Sequence, residues 1–150
     1  MPKPKKIIND PANAVDEFIQ GLLIQYPNRL AKLQNHHVVL KAGLASDKQV
    51  HLLSGGGSGH EPSHAGWIGS GMLSGAICGG MFASPSVASI LAGIRAAKND
   101  KGVLLVVKNV SVYFVCFIRF DVEAWNIVFG VAVDILFCTQ NPFFIILILC

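Results

Sequence analysis

A chain of 150 residues with 52% hydrophobic side chains is long enough for one domain with a sizeable core, and too apolar for wholesale disorder. Its formal net charge of +3 is small, and its basic residues form no dense stripe with interleaved aromatics, which argues against nucleic acid as a partner. Lys3, Lys5 and Lys6 read as a solvated N-terminal tail.

In chain order, Asn9, Asp10 and Pro11 make a helix start, because a side-chain oxygen before the first turn can cap free N–H groups. Val15, Phe18, Ile19, Leu22 and Leu23 then fall on one helical face. Val50, Leu52 and Leu53 suggest a short strand running into Ser54-Gly55-Gly56-Gly57-Ser58-Gly59-His60. The pattern predicts a loop over Gly55 to His60, followed by a helix from Glu61 or Pro62. Ser84-Pro85 signals a further helix start, continued by Val87, Ile90, Leu91 and Ile94 and ended by Asn99 to Gly102. The apolar run Val103 to Val107 is the pattern of a buried parallel strand. Strand, glycine run, helix and buried strand together indicate an α/β fold with a mainly parallel sheet.

The composition changes at residue 109. Fourteen of fifteen glycines lie before residue 110, and seven of nine phenylalanines lie after it. No lysine follows Lys108. Val110 to Phe120, Trp125 to Cys138 and Phe143 to Leu149 are apolar almost throughout and could make strands, with no clean period. The chain therefore divides into residues 1–109 and an apolar tail, residues 110–150. Charges at Arg119, Asp121, Glu123 and Asp134 interrupt the tail, so it holds no membrane span. The four cysteines form no C-x-x-C pair and none has metal-ligand spacing with a histidine, so no metal site is expected. Free thiols and the lack of a secretory signal suggest a reducing, cytoplasmic compartment.

Four glycines in five positions, Gly55 to Gly59, let a backbone approach a ligand closely and offer N–H groups to its oxygens. Ser58 adds a hydroxyl, and His60 can exchange a proton near neutral pH. No G-K-[ST] closes the segment, so it is not a Walker A loop. His36, His37 and His51 read as structural.

The string L-L-S-G-G-G-S-G-H-E-P-x-H-A-G-x-I-G-x-G-M-L-S-G, from Leu52 to Gly75, closely resembles the substrate-binding, DhaK-type domain of the dihydroxyacetone (glycerone) kinase family. The likeness continues through Phe82-x-Ser84-Pro85 and Ile90-Leu91-x-x-Ile94 and ends at Lys108-Asn109; Lys6 to Asp10 also resembles the family's opening. The resemblance implies phosphoryl transfer from ATP to a hydroxyl of dihydroxyacetone, with ATP and magnesium held by a separate domain or partner subunit. It implies substrate binding by Gly57, Ser58, Gly59, His60 and Lys108, proton transfer by His60, and a homodimer. The family continues Tyr-Thr-Gly-Asp after the Lys-Asn pair and carries a substrate-binding histidine far downstream. Here Val110-Ser111-Val112-Tyr113 follows, and no histidine occurs after His64. The expectation is a truncated kinase-family chain, inactive alone. The alternative is a triose-binding or regulatory module that pairs with an intact kinase subunit. Val110-Ser111 is also what an in-frame intron donor, GT(A/G)AGT, would encode. Residues 110–150 are therefore expected to be translated intron, disordered or packed on the exposed edge of the sheet.

Overall fold

A computed structural model describes residues 7–108 and 144–149. Pro11–Asn13 form one 3₁₀ turn, which leads into helix α1, Ala14–Gln25. Asp10 caps the entry, its carboxylate accepting from the Ala12 N–H at 2.9 Å. Strands β1 (Leu30–Lys32) and β2 (Val38–Lys41) follow, then β3 (His51–Ser58), β4 (Gly75–Met81), helix α2 (Val87–Ala97), β5 (Val103–Lys108) and β6 (Phe144–Leu149).

The six strands form one sheet in the order β1-β2-β4-β3-β5-β6. β4, β3, β5 and β6 run parallel, while β1 and β2 add an antiparallel edge. Phe144–Leu149 pairs beside β5, from Val103↔Phe144 to Lys108↔Leu149. Asn109, the tail residues 110–143 and Cys150 lie outside the described residues, and Cys116 and Cys138 with them.

Alternation along the strands assigns the two faces. Val38 and Ile77 join Leu53, Val103 and Leu105 under α2, against Ile90, Ile94 and Ala97. Their chain neighbours Val39, Ala76 and Cys78 turn the other way, against Val15 and Ile19 of α1. Val38 and Val39 are both fully buried, which explains why a sheet covered on both faces reads as a continuous apolar run. Full burial of Ile19 or Leu53 contributes about 1.5–3 kcal/mol each.

The predicted face of α1 packs as expected: Val15 and Ile19 are buried and Phe18, Leu22 and Leu23 lie against the same cluster. α2 starts slightly later than Ser84-Pro85 suggests. Ser86 is its N-cap, accepting from the Ser89 N–H at 3.2 Å.

Two expectations fail between residues 55 and 67. Gly55 to Ser58 are not a loop; they are the second half of β3, paired with β4. No helix begins at Glu61 or Pro62 either. The chain turns and makes only a 3₁₀ turn at Ala65–Trp67. Glycine is a poor helix former, costing about 1 kcal/mol relative to alanine, and Gly66, Gly69 and Gly71 all fall in this stretch.

Candidate functional site

In a parallel sheet, ligands bind at the carboxyl ends of the strands. Here those ends are Ser58 of β3, Met81 of β4 and Lys108 of β5. The structure brings Gly57, Ser58, Gly59 and His60 to this edge at the end of the central strand β3. Lys108 ends the neighbouring strand, two positions beyond the last registered pair, Ser54↔Val106. Its side chain lies outside the described residues.

The glycines do two different jobs. A Cβ at Gly55 would lie 2.5 Å from the Ile77 carbonyl oxygen, and one at Gly57 would lie 2.8 Å from the Ala83 nitrogen. At these two positions neighbouring backbone fills the space that a side chain would need. That is why the glycine run can stay in the sheet. Gly59 is different: its φ of 117° is open only to glycine at low cost. It marks the point where the chain leaves the strand.

Ser58 is buried, and its hydroxyl donates to the Gly79 carbonyl at 2.9 Å. Its only proton is therefore committed to β4, and it can meet a ligand only as an acceptor. The Gly59 N–H faces the Glu61 carboxylate, at 3.1 Å and 3.0 Å from its two oxygens. His60 is exposed and stacks on Phe82, with ring centroids 6.1 Å apart and planes at 23°. With Glu61 it is one of two exposed titratable side chains that follow Gly59 directly.

Several residues at this site carry no signal of their role in the sequence. Ser54 donates to the Val106 carbonyl at 3.0 Å and so accepts from His64 Nδ1 at 2.9 Å. That link ties the segment after β3 down onto β3 and β5. Glu61 and Phe82 complete the surroundings of Gly59. Both stand inside the quoted strings, but their roles depend on a bend in the chain that residue types do not announce. Cys78 is buried near Glu61; burial first, and that carboxylate second, push its thiol up to about 12. It is no nucleophile at neutral pH.

The other histidines are structural, as expected for three of them. His51 is buried and donates through Nδ1 to the Ala97 carbonyl, leaving Nε2 to accept from the Asn99 amide at 3.1 Å. His36 bonds Ser89 and His37 bonds Asp16. A cavity of about 530 Å³ between α1, β1, β2 and the 3₁₀ turn, lined by Tyr26, Arg29 and Lys41 among others, contains none of the sequence-derived site residues.

The family model described as the Dak1 domain matches residues 20–117, well over half of the chain. The chain belongs to the dihydroxyacetone kinase family. The match begins inside α1 and runs eight residues past Asn109. Among curated relatives, a putative 3,4-dihydroxy-2-butanone kinase from Solanum lycopersicum is 55% identical over 109 residues, covering 70% of this chain and 18% of the relative. The dihydroxyacetone-binding subunit of a PTS-dependent dihydroxyacetone kinase from Lactococcus lactis is 44% identical over 105 residues, 70% of this chain and 31% of the relative. The chain thus spans a third or less of these relatives' lengths. Among solved structures, dihydroxyacetone kinase from C. freundii, in complex with AMP-PNP and Mg2+, superposes with a TM-score of 0.70 at 40% identity, covering 77% of this chain and 22% of that one. A dihydroxyacetone kinase operon co-activator superposes with a TM-score of 0.64 at 36% identity, covering 73% and 33%.

Proposed function

We propose that this chain is the substrate-holding part of a dihydroxyacetone kinase, and that the carboxyl edge of β3 and β5 cradles the triose. The observation that carries the reading is the meeting of Gly57 to His60 with Lys108 at one edge of adjacent parallel strands. Ser58 supplies an acceptor and Lys108 a cation for substrate oxygens, and the Gly59 N–H, bonded to the Glu61 carboxylate, becomes a donor to substrate once that carboxylate is displaced. His60 takes the proton from the hydroxyl that accepts the phosphoryl group. Such a site works by positioning, and leaves the charged phosphoryl donor to other groups. ATP and magnesium belong, in this reading, to a part of the enzyme outside these residues. Among the described residues no group of three or more His, Cys, Asp or Glu side chains could hold a metal ion, and no step is assigned to one.

Titrating the purified chain with dihydroxyacetone tests the reading. Saturable binding that weakens in His60→Ala supports it, and a flat titration rules it out. In an intact kinase carrying this segment, His60→Ala should lower turnover by roughly two to four decades, the usual worth of a general acid–base group. The 150 residues by themselves are expected to form no dihydroxyacetone phosphate from ATP.

A second reading, a regulatory module that pairs with an intact subunit, is favoured by the likeness to the operon co-activator. Binding of the triose without His60-dependent turnover in any assembly would select it. For residues 110–150 we keep the reading as translated intron. Sequencing the locus decides it: GT at the first two bases of the Val110 codon supports it, and one continuous exon shared by close relatives removes it. No helix of the described residues is long and apolar enough to cross a membrane.

A further inference from the structure

Phe82 stands where a phenylalanine has no packing reason to be. It follows the last residue of β4, is 75% exposed, and holds φ at 51°, a left-handed conformation unusual for an aromatic residue. Core burial does not hold it there. Its backbone N–H donates to the Ser58 carbonyl at 2.7 Å, which ties the strained bend to the strand that carries the site. Its ring lies across Gly59, whose missing Cβ would sit 2.7 Å from the ring's Cζ. Beyond Gly59 the same ring stacks on the His60 imidazole. Bend, bare glycine and stacked ring fit together as one arrangement around His60. Backbone strain held at an exposed position is a pointer to function and not to stability.

We propose that Phe82 is a positioning residue, whose ring forms a wall that restricts the His60 imidazole to one orientation over the carboxyl edge. The left-handed bend brings the ring across the strand end, and the absence of a side chain at Gly59 lets it reach His60. Its consequence for triose binding rests on the function proposed above, whereas the restriction of the imidazole can be measured without any ligand.

The variant Phe82→Gly separates the ring from the bend, because glycine accepts this backbone conformation without strain. In the full chain, Phe82→Gly is expected to melt no lower than the parent, while the His60 side-chain couplings measured by NMR change from one rotamer to averaged values. Dihydroxyacetone affinity should fall about three- to tenfold, the worth of one aromatic pair. Phe82→Tyr should restore both couplings and affinity. Phe82→Leu, which keeps the bend and a side chain but no aromatic face, should behave as Phe82→Gly does and serves if the glycine variant does not fold. Unchanged His60 couplings in the ring-less variants would overturn the proposal. Averaged couplings in a chain that binds no triose would uphold the positioning contact and overturn the function assigned to the edge.

Discussion

His51 to Ser54 and Gly55 to Ser58 are halves of one strand and are built from opposite materials. The first half is laddered to β5 at all four positions and buries Leu53 completely. Ser54 there closes a hydrogen-bonded link between β5 and His64. The second half carries no side chain until Ser58, and its register against β4 shifts between Gly56 and Ser58. It then passes into a left-handed Gly59 and an exposed His60, which lies against the bent Phe82. The contrast shows where a parallel sheet can hold a site. Its middle must satisfy every group internally, and its carboxyl ends are where chain direction changes and groups reach solvent.

If that division is right, substitutions in the first half should act on stability and those beyond the second half on ligand handling. Leu53→Ala is expected to have the largest effect, about 2–5 kcal/mol of unfolding free energy, because a fully buried leucine under α2 leaves a cavity. Urea unfolding followed by circular dichroism measures it. Gly57→Ala tests the border between the halves. Its Cβ would collide with the backbone of Phe82 and Ala83, at a cost of about 1–3 kcal/mol. A stable Gly57→Ala chain that has lost only triose affinity would move Gly57 from packing to ligand approach. Ser54→Ala removes an acceptor from His64 and a donor from the Val106 carbonyl, and should cost about 1–2 kcal/mol, with faster amide exchange in the turn after Gly59.

The smallest effect is expected far from this edge. Hydrogen bonds from Lys32 at 2.6 Å and then His37 at 3.0 Å hold the Asp16 carboxyl below the usual carboxylate range. A depressed carboxylate stabilises the fold fully above its unfolded value of about 4, and the contribution is lost as pH falls through the lower folded value. The Asp16 side chain is 41% exposed, so screening leaves less than about 1 kcal/mol. Asp16→Asn should therefore lower stability slightly at pH 7 and converge with the parent in strong acid. Melting curves across that pH range would show whether the two converge.

Much of the scaffold is legible from residue types. The spacing of Val15, Ile19 and Leu22 marks α1, and the apolar run before Lys108 marks a buried parallel strand, because burial imposes the period of each element on its sequence. The glycine run marks where the candidate site begins, yet it does not form the loop that its composition suggests. Glycine tells of a missing side chain; it does not tell whether backbone or ligand fills the space. For Gly55 and Gly57 the answer is the carbonyl of Ile77 and the backbone around Ala83, both remote in sequence.

By itself, then, the sequence determined the family, the two main helices, the first half of β3, the strand β5 and the segment Gly57 to His60 at which the chemistry is sought. These are properties of local pattern and of a continuous motif. Tertiary structure alone decided that Ser58 commits its proton to Gly79, that Ser54 holds His64, and that Phe82 lies against His60. Each of these pairs joins residues 10 to 22 positions apart, brought together by the return of the chain from β3 into β4. The physical reason is that a hydrogen bond or a ring stack requires proximity, and proximity between such residues is a product of the packed sheet, not of any residue's own preference.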